Sequence, residues 1–137
     1  MNIDWLENFA DAYLKTSSGQ GVFLGGIVLG MVAKHQVKKG DDIDSAPMFK
    51  QLVFGKMQRR DLLRHLSRVP ELLRAYDIPY KNYIQQLSGR AGELLLRGSG
   101  EMGVDGNFAF SVAFINANEY FWRIFGKPDN NTDGERG

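Results

Sequence analysis

Apolar residues recur at intervals of three and four along most of this 137-residue chain. No segment sustains the alternation of apolar and polar residues that a half-buried strand shows. The pattern therefore predicts an all-α fold, with a single compact bundle of five or six helices over residues 1–126. The predicted helices cover residues 2–16, 20–37, 47–54, a segment that begins near residue 56, 80–97 and 107–125.

The helix predicted over residues 20–37 is apolar on nearly all sides, so we expect it at the centre of the core. Glycine costs about 1 kcal/mol at an interior helix position, and we therefore expect other helices to fill the notches that its glycines leave. Those glycines form two pairs, Gly21/Gly25 and Gly26/Gly30. The apolar run of this helix, residues 22–33, is shorter than the roughly 20 residues that a bilayer span needs. We expect no membrane association.

Several residues predict where helices begin, bend or pack. Pro70 lies inside the helix that begins near residue 56 and should kink it or split it in two. Asp105 is a plausible N-cap for the last helix. Gly89 and Gly92, on the helix over 80–97, suggest that another element packs closely there.

The last predicted helix is rich in aromatic residues. Seven of the chain's sixteen aromatics lie between Phe108 and Phe125, where the only charged residues are Glu119 and Arg123. Exposed aromatics in a basic groove can stack on the bases of a single strand, but a nearly uncharged neighbourhood favours core packing. Residues 127–137 contain no apolar side chain apart from Pro128, and this composition predicts a disordered tail.

Positive charge is concentrated in one stretch of the chain. Residues 56–74 carry six basic and two acidic side chains, whereas the rest carries 11 basic and 14 acidic ones. Four of the six recur at every fourth position, namely Lys56, Arg60, Arg64 and Arg68. This spacing predicts a row along one helix face. Like charges four residues apart repel, so the row favours a polyanionic partner such as a nucleic-acid backbone.

We therefore predict a nucleic-acid interface that includes this row, the other basic residues of the segment and two lysines that follow the central helix. Its residues are Lys38, Lys39, Lys56, Arg59, Arg60, Arg64, Arg68 and Arg74. Two other interpretations stay open. The row could be an ordinary solvated helix face, or it could dock the acidic surface of a protein in a structural adaptor that contacts no nucleic acid.

Residue types restrict the chemistry available to this chain. It has no cysteine, which excludes disulfides, thiolate metal sites and cysteine nucleophiles and agrees with a cytoplasmic location. We expect His65, which lies among arginines, to be a solvated or phosphate-contacting side chain rather than a catalytic one, and His35 to interact with the C-terminal end of its helix rather than with a metal. The acidic cluster Asp41, Asp42 and Asp44 lacks the spacing of a calcium loop. We expect no catalytic residues, no metal, no cofactor and no small-molecule substrate.

Two segments resemble parts of a known family. Phe23-Leu24-Gly25, leading through Gly30-Met31-Val32-Ala33 to His35-Gln36, is similar to a helix in the C-terminal region of the large subunits of type I-B CRISPR effector complexes. Asn118-Glu119-Tyr120-Phe121-Trp122, leading to Phe125-Gly126, resembles the last aromatic helix of that region. In those systems the same region is also made as a separate small subunit, which a short chain beginning at Met1 would fit.

The resemblance implies an all-α, non-catalytic small subunit of a Cascade surveillance complex. Its implied partners are the backbone and large subunits, further copies of itself, the hybrid of crRNA with target DNA, and the displaced single strand. In such complexes base pairing reads the sequence while protein holds the backbones. A basic helix face without base-reading side chains is suited to that task.

Overall fold

The computed structural model describes residues 1–126, which form an all-α bundle and contain no strand. The predicted fold class is confirmed, whereas the predicted tail, residues 127–137, lies outside the described residues. The seven α-helices of residues 1–126 are α1 (Ser17–Gln36), α2 (Pro47–Gln51), α3 (Arg59–Ser67), α4 (Val69–Ala75), α5 (Lys81–Arg97), α6 (Gly103–Ile115) and α7 (Ala117–Phe125). Short 3₁₀ helices cover Asp4–Asn8, Ala12–Lys15 and Ile43–Ser45.

Helix α1 lies at the centre of the bundle, as predicted. Every residue from position 21 to 33 is buried, and α3, α5, α6 and α7 all contact this helix. Its glycines receive the neighbouring helices: a Cβ built on Gly26 would lie 2.9 Å from the Cβ of Ala113, and one built on Gly30 would lie 2.5 Å from the Cβ of Ala117. The prediction that these notches are filled is confirmed. Among the described residues, no helix is long and apolar enough to cross a membrane.

The prediction of one helix over residues 2–16 was wrong. Two short 3₁₀ helices stand there instead, separated by extended backbone at Phe9. Local side-chain hydrogen bonds compete with a continuous helix here: Asn2 Oδ1 accepts from the backbone N–H of Asp4, and Asp11 Oδ1 accepts from that of Tyr13. Several apolar residues of this segment nevertheless face inward: Leu6 and Leu14 are buried, and Ile3 and Phe9 pack against the core.

The basic helix is split at the proline, as predicted. Helix α3 ends at Ser67, and Pro70 lies in the first turn of α4, where its missing N–H costs no hydrogen bond. The start of α3 differs from the prediction, because the helix begins at Arg59 rather than near Lys56. A side-chain cap marks this boundary: Asp61 Oδ2 accepts a hydrogen bond from the backbone N–H of Gln58 at 2.9 Å, which satisfies a donor at the start of the helix.

The predicted last helix is two helices. Asn116 adopts φ −105° and ψ 24° between α6 and α7, and its side-chain amide donates to the carbonyl of Val112 at 2.9 Å. Helix α6 begins at Gly103, so Asp105 lies within its first turn and is not the N-cap that the sequence suggested. Much of the aromatic cluster is core, with Phe110, Phe114 and Phe121 fully buried, although Phe108 is exposed.

Candidate nucleic-acid interface

Helix α3 has one buried face and one basic face. Leu62 is fully buried and packs into the notch at Gly25 of α1, while Arg60 and Arg64 lie one turn apart on the exposed side. In α4, Val69 and Leu73 continue the buried face, since both are fully buried. The leucines thus hold the helix on the core, and the arginines are left to solvent.

The row of four basic residues is shorter in the structure than predicted. Lys56 precedes α3 and lies in a turn, with its backbone N–H bonded to the carbonyl of Val53. Arg68 is the residue between α3 and α4, with φ −92° and ψ −5°. Only Arg60 and Arg64 are therefore stacked on one regular helix, and Arg68 continues their row across the junction.

Arg59 has a different role from the arginine beside it. Its Nη1 donates to the carbonyl of Gly98 at 2.6 Å and to that of Leu95 at 3.3 Å, at the C-terminal end of α5. A guanidinium there satisfies carbonyls that have no partner within the helix and meets the negative end of the helix dipole. Arg59 therefore ties α3 to α5. Its guanidinium is occupied within the fold and is not part of the exposed basic surface.

The other arginines of the segment keep most of their charge exposed. Arg64 Nη2 lies 3.3 Å from Asp61 Oδ1, but the Arg64 side chain is still 63% exposed, and such surface pairs are weak. The hydrogen bond from the backbone of Gln58 lowers the pKa of Asp61, and the nearby arginine charges lower it further. Within residues 1–126, the side chains of Arg60, Arg68 and Arg74 form no ion pair.

Arg60, Arg64, Arg68 and Arg74 make up the basic surface. All four are exposed, and they belong to a segment, α3 with α4, whose acidic residues are Asp61 and Glu71. Arg74 lies six positions after Arg68, which places it on another side of α4 rather than in line with the row. The result is a broad positive surface with a short row of arginines along one side.

The two lysines predicted to join this surface belong to neither α3 nor α4. Lys38 and Lys39 are exposed in the loop that follows α1. Three carboxylates follow in the same loop and the 3₁₀ helix beyond it, Asp41, Asp42 and Asp44. Three carboxylates thus offset the charge of the two lysines, whereas α3 has one carboxylate, Asp61, for its three arginines.

The histidines do not extend the basic surface. His65 is only 8% exposed, which corrects the expectation of a solvated or phosphate-contacting side chain. Burial lowers its pKa, and the charges of Arg64 and Arg68 lower it further. His35 lies at the end of α1, where its Nδ1 is 2.9 Å from the carbonyl of Met31, and burial lowers its pKa too. Among residues 1–126, no three His, Cys, Asp or Glu side chains converge as metal ligands.

A comparison with protein families decides which family includes this chain. Residues 2–127 match the model of the C-terminal domain of CRISPR-associated protein TM1802. This chain belongs to that family. The match to the TM1802 C-terminal domain covers nearly the whole sequence and confirms the coarser part of the resemblance, namely CRISPR association. No curated protein and no solved structure matches this chain.

Proposed function

We propose that this TM1802-family chain is a non-catalytic subunit of an RNA-guided CRISPR surveillance complex that holds DNA backbone on the basic surface. More specifically, we propose the small subunit of a Cascade complex of type I-B. The family supports the CRISPR setting, and the resemblance of the α1 and α7 sequences to the type I-B region supports the subunit. Partners would be the backbone and large subunits, the crRNA–target hybrid and the displaced strand.

The exposed arginines on a firmly anchored helix carry this proposal. Leu62 and Leu66 are buried beneath α3, so Arg60 and Arg64 have fixed backbones and exposed side chains. Guanidinium groups bind phosphate through two parallel hydrogen bonds. A surface with several of them, and little acidic charge to neutralise them, favours a polyanion.

The composition of the surface favours backbone contacts over base reading. Asparagine and glutamine, which read adenine edges in a groove, are absent from residues 59–75, and so are phenylalanine, tyrosine and tryptophan that could stack on bases. Contacts to phosphates position a strand without reading its sequence. This matches a complex in which guide RNA supplies the specificity.

The purified chain and two unrelated single-stranded DNA probes of equal length provide a test. Fluorescence anisotropy at low salt should give similar affinities for both probes, because only phosphates are contacted. A strong preference for one probe would show base readout and contradict backbone binding. If neither probe binds while an acidic protein surface does, the chain is a structural adaptor.

A further inference from the structure

The start of α5 carries a cluster of aromatic rings that the proposed function does not use. Tyr83 stacks on Phe125 of α7, with ring centroids 4.6 Å apart and planes inclined by 15°. Tyr80 meets Trp122 edge to face, with ring centroids 4.7 Å apart. We call these four residues the aromatic platform, which joins the beginning of α5 to the end of α7.

The aromatic platform presents one fixed ring to solvent. Tyr83 is 40% exposed, whereas the rings of Tyr80, Trp122 and Phe125 are less exposed and pack against the core. Stacking on Phe125 restricts the rotation of the Tyr83 ring. A ring that is already held in place loses little conformational freedom when a ligand covers it. Tyr83 is therefore suited to receive a further flat group.

The backbone that positions Tyr80 is unusual. Tyr80 has φ 63° and ψ 33°, and Asp77, in the turn before it, has φ 49°. Among the described residues other than glycine, only these two have a positive φ. This left-handed region is unfavourable for residues with a side chain, and residues held there are concentrated at active sites and binding sites. A strained turn therefore lies beside the aromatic platform.

The aromatic platform adjoins one end of the basic surface. Arg74 lies in the last turn of α4, and a short turn that contains the exposed Tyr76 leads from there to Tyr80. The backbone N–H of Ile78 donates to the carbonyl of Leu73 at 3.0 Å, which folds this turn back on α4. The start of α5 is therefore held next to the end of α4 that bears Arg74.

The charges around the aromatic platform cancel. Each of the three segments that meet there has one carboxylate and one cation: Glu71 and Arg74 in α4, Asp77 and Lys81 in the turn and the start of α5, and Glu119 and Arg123 in α7. Asp77 Oδ1 lies 3.5 Å from Lys81 Nζ. The platform therefore contributes flat apolar area rather than net charge, and attraction for phosphates must come from the arginines of the basic surface.

The size of the exposed aromatic area restricts its ligand. About one turn beyond Tyr83, Gln86 is exposed and Leu87 is buried. A docked protein helix needs a row of apolar anchors over several turns, and this face of α5 does not continue one. A nucleobase needs only one exposed aromatic ring on which to stack. The platform therefore fits a single flat ring better than it fits a helix.

We propose that the Tyr83 ring of the aromatic platform stacks on an unpaired base of the DNA strand that the basic surface holds. Every base has a flat aromatic face, so the contact tolerates any sequence, and the similar affinities expected for unrelated probes are unchanged. In a duplex the neighbouring base pairs cover these faces, and the platform therefore selects single strands. This inference rests on the proposed function, because the arginines bring the strand to the ring.

DNA without bases separates stacking from phosphate contacts. The two probes are a thymine strand and an abasic strand of equal length, and fluorescence anisotropy of the full chain at low salt gives both affinities. The wild type should bind the thymine strand more tightly. Tyr83→Leu, which leaves an apolar side chain against Phe125, should weaken binding of the thymine strand about tenfold and leave binding of the abasic strand unchanged.

Two further variants serve as controls. Tyr83→Phe keeps the ring and should bind both strands like the wild type. Phe108→Leu removes a ring that is 67% exposed on α6, outside the platform, and should also bind like the wild type. Thermal melting verifies that each variant is folded, and the comparison of the two strands with the wild type needs no variant.

The possible results separate this inference from the proposed function. Equal wild-type affinities for the two strands, or an equal loss for both in Tyr83→Leu, would overturn stacking while phosphate contacts stand. Unchanged binding of the thymine strand by Tyr83→Leu would overturn it too and would favour a protein ligand for the platform. If neither strand binds, the proposed function fails and the inference fails with it.

Discussion

Helices α1 and α3 differ in how much of their surface the bundle buries. Helix α1 is buried along positions 21–33, and its glycines admit the backbones of other helices. Helix α3 is buried on one side only and exposes arginines on the other. Shape complementarity therefore decides what α1 tolerates, whereas charge decides what the outer side of α3 can bind. Substitutions in α1 should change stability, and substitutions of exposed α3 residues should change binding.

The adjacent residues Arg59 and Arg60 show the same difference, between a side chain engaged in the fold and an exposed one, within one helix. Arg59 bonds to the carbonyls at the end of α5, while the side chain of Arg60 is exposed and forms no ion pair within residues 1–126. Two adjacent residues of equal charge thus differ, since the guanidinium of Arg59 is bonded within the fold and the side chain of Arg60 is open to solvent.

The largest effect is expected for Gly30→Ala. The new Cβ would lie 2.5 Å from both the Cβ of Ala117 and the carbonyl oxygen of Phe114, so the end of α6 and the start of α7 would both have to move away. Overpacking of this kind destabilises by about 2 to 3 kcal/mol, measurable by urea denaturation. An unchanged free energy of unfolding would mean that α1 is not tightly enclosed.

Arg59→Ala should have the next largest effect. It removes a charged donor from two carbonyls at a partly buried helix end, a loss of about 1 to 2 kcal/mol in unfolding free energy. Arg60→Ala is the matched control and should stay within about 0.5 kcal/mol of the wild type. Equal losses of unfolding free energy for the two substitutions would show that Arg59 stabilises the fold no more than Arg60 does.

Gly92→Ala should have the opposite sign to Gly30→Ala. Nothing lies within 4 Å of its Cβ position, so the substitution meets no obstacle and replaces a poor helix residue with a good one. We expect a gain of about 0.5 to 1 kcal/mol, seen as a higher midpoint in the same urea titrations. A destabilised variant would show that another part of the chain covers Gly92.

The smallest effect concerns pH. Burial lowers the pKa of His65 below the ordinary 6.5, so the unfolded chain binds the proton more readily than the folded protein. Stability should therefore be complete above pH 6.5 and should decline by a fraction of a kcal/mol as the pH falls below it. His65→Gln should reduce the loss of unfolding free energy between pH 7.5 and 5.5. An unaltered loss would show that groups other than His65 cause it.

Some of this structure could be predicted because it follows from local pattern. The apolar run of α1 indicates burial without knowledge of its neighbours, and Pro70 splits its helix for reasons confined to its own ring. The exposed arginines of α3 follow from helical spacing against the buried Leu62 and Leu66. The all-α class and the position of the basic surface could therefore be predicted from the sequence.

Other features depend on tertiary contacts that sequence spacing does not encode. Arg59 looks like Arg60 until the end of α5 is placed beside it. Gly89 and Gly30 are both helix glycines, yet only Gly30 meets another backbone. Phe108 lies among aromatics that are mostly core, and the break at Asn116 that separates α6 from α7 carries no proline or glycine signal.

The central claim is that the basic surface contacts phosphates, and the salt dependence of single-stranded DNA binding tests it most directly. The variant for this test carries Arg60→Glu, Arg64→Glu and Arg68→Glu. A control with Lys15→Glu, Lys50→Glu and Arg97→Glu changes the net charge equally at exposed residues outside this surface.

The quantity measured is the slope of the logarithm of the binding constant against the logarithm of the salt concentration. If each arginine of the row neutralises one phosphate, the magnitude of this slope should be smaller by about 2 for the variant, at roughly 0.7 per contact. The control should keep nearly the wild-type slope. Equal slopes for the wild type and the Arg60/Arg64/Arg68 variant would contradict the account.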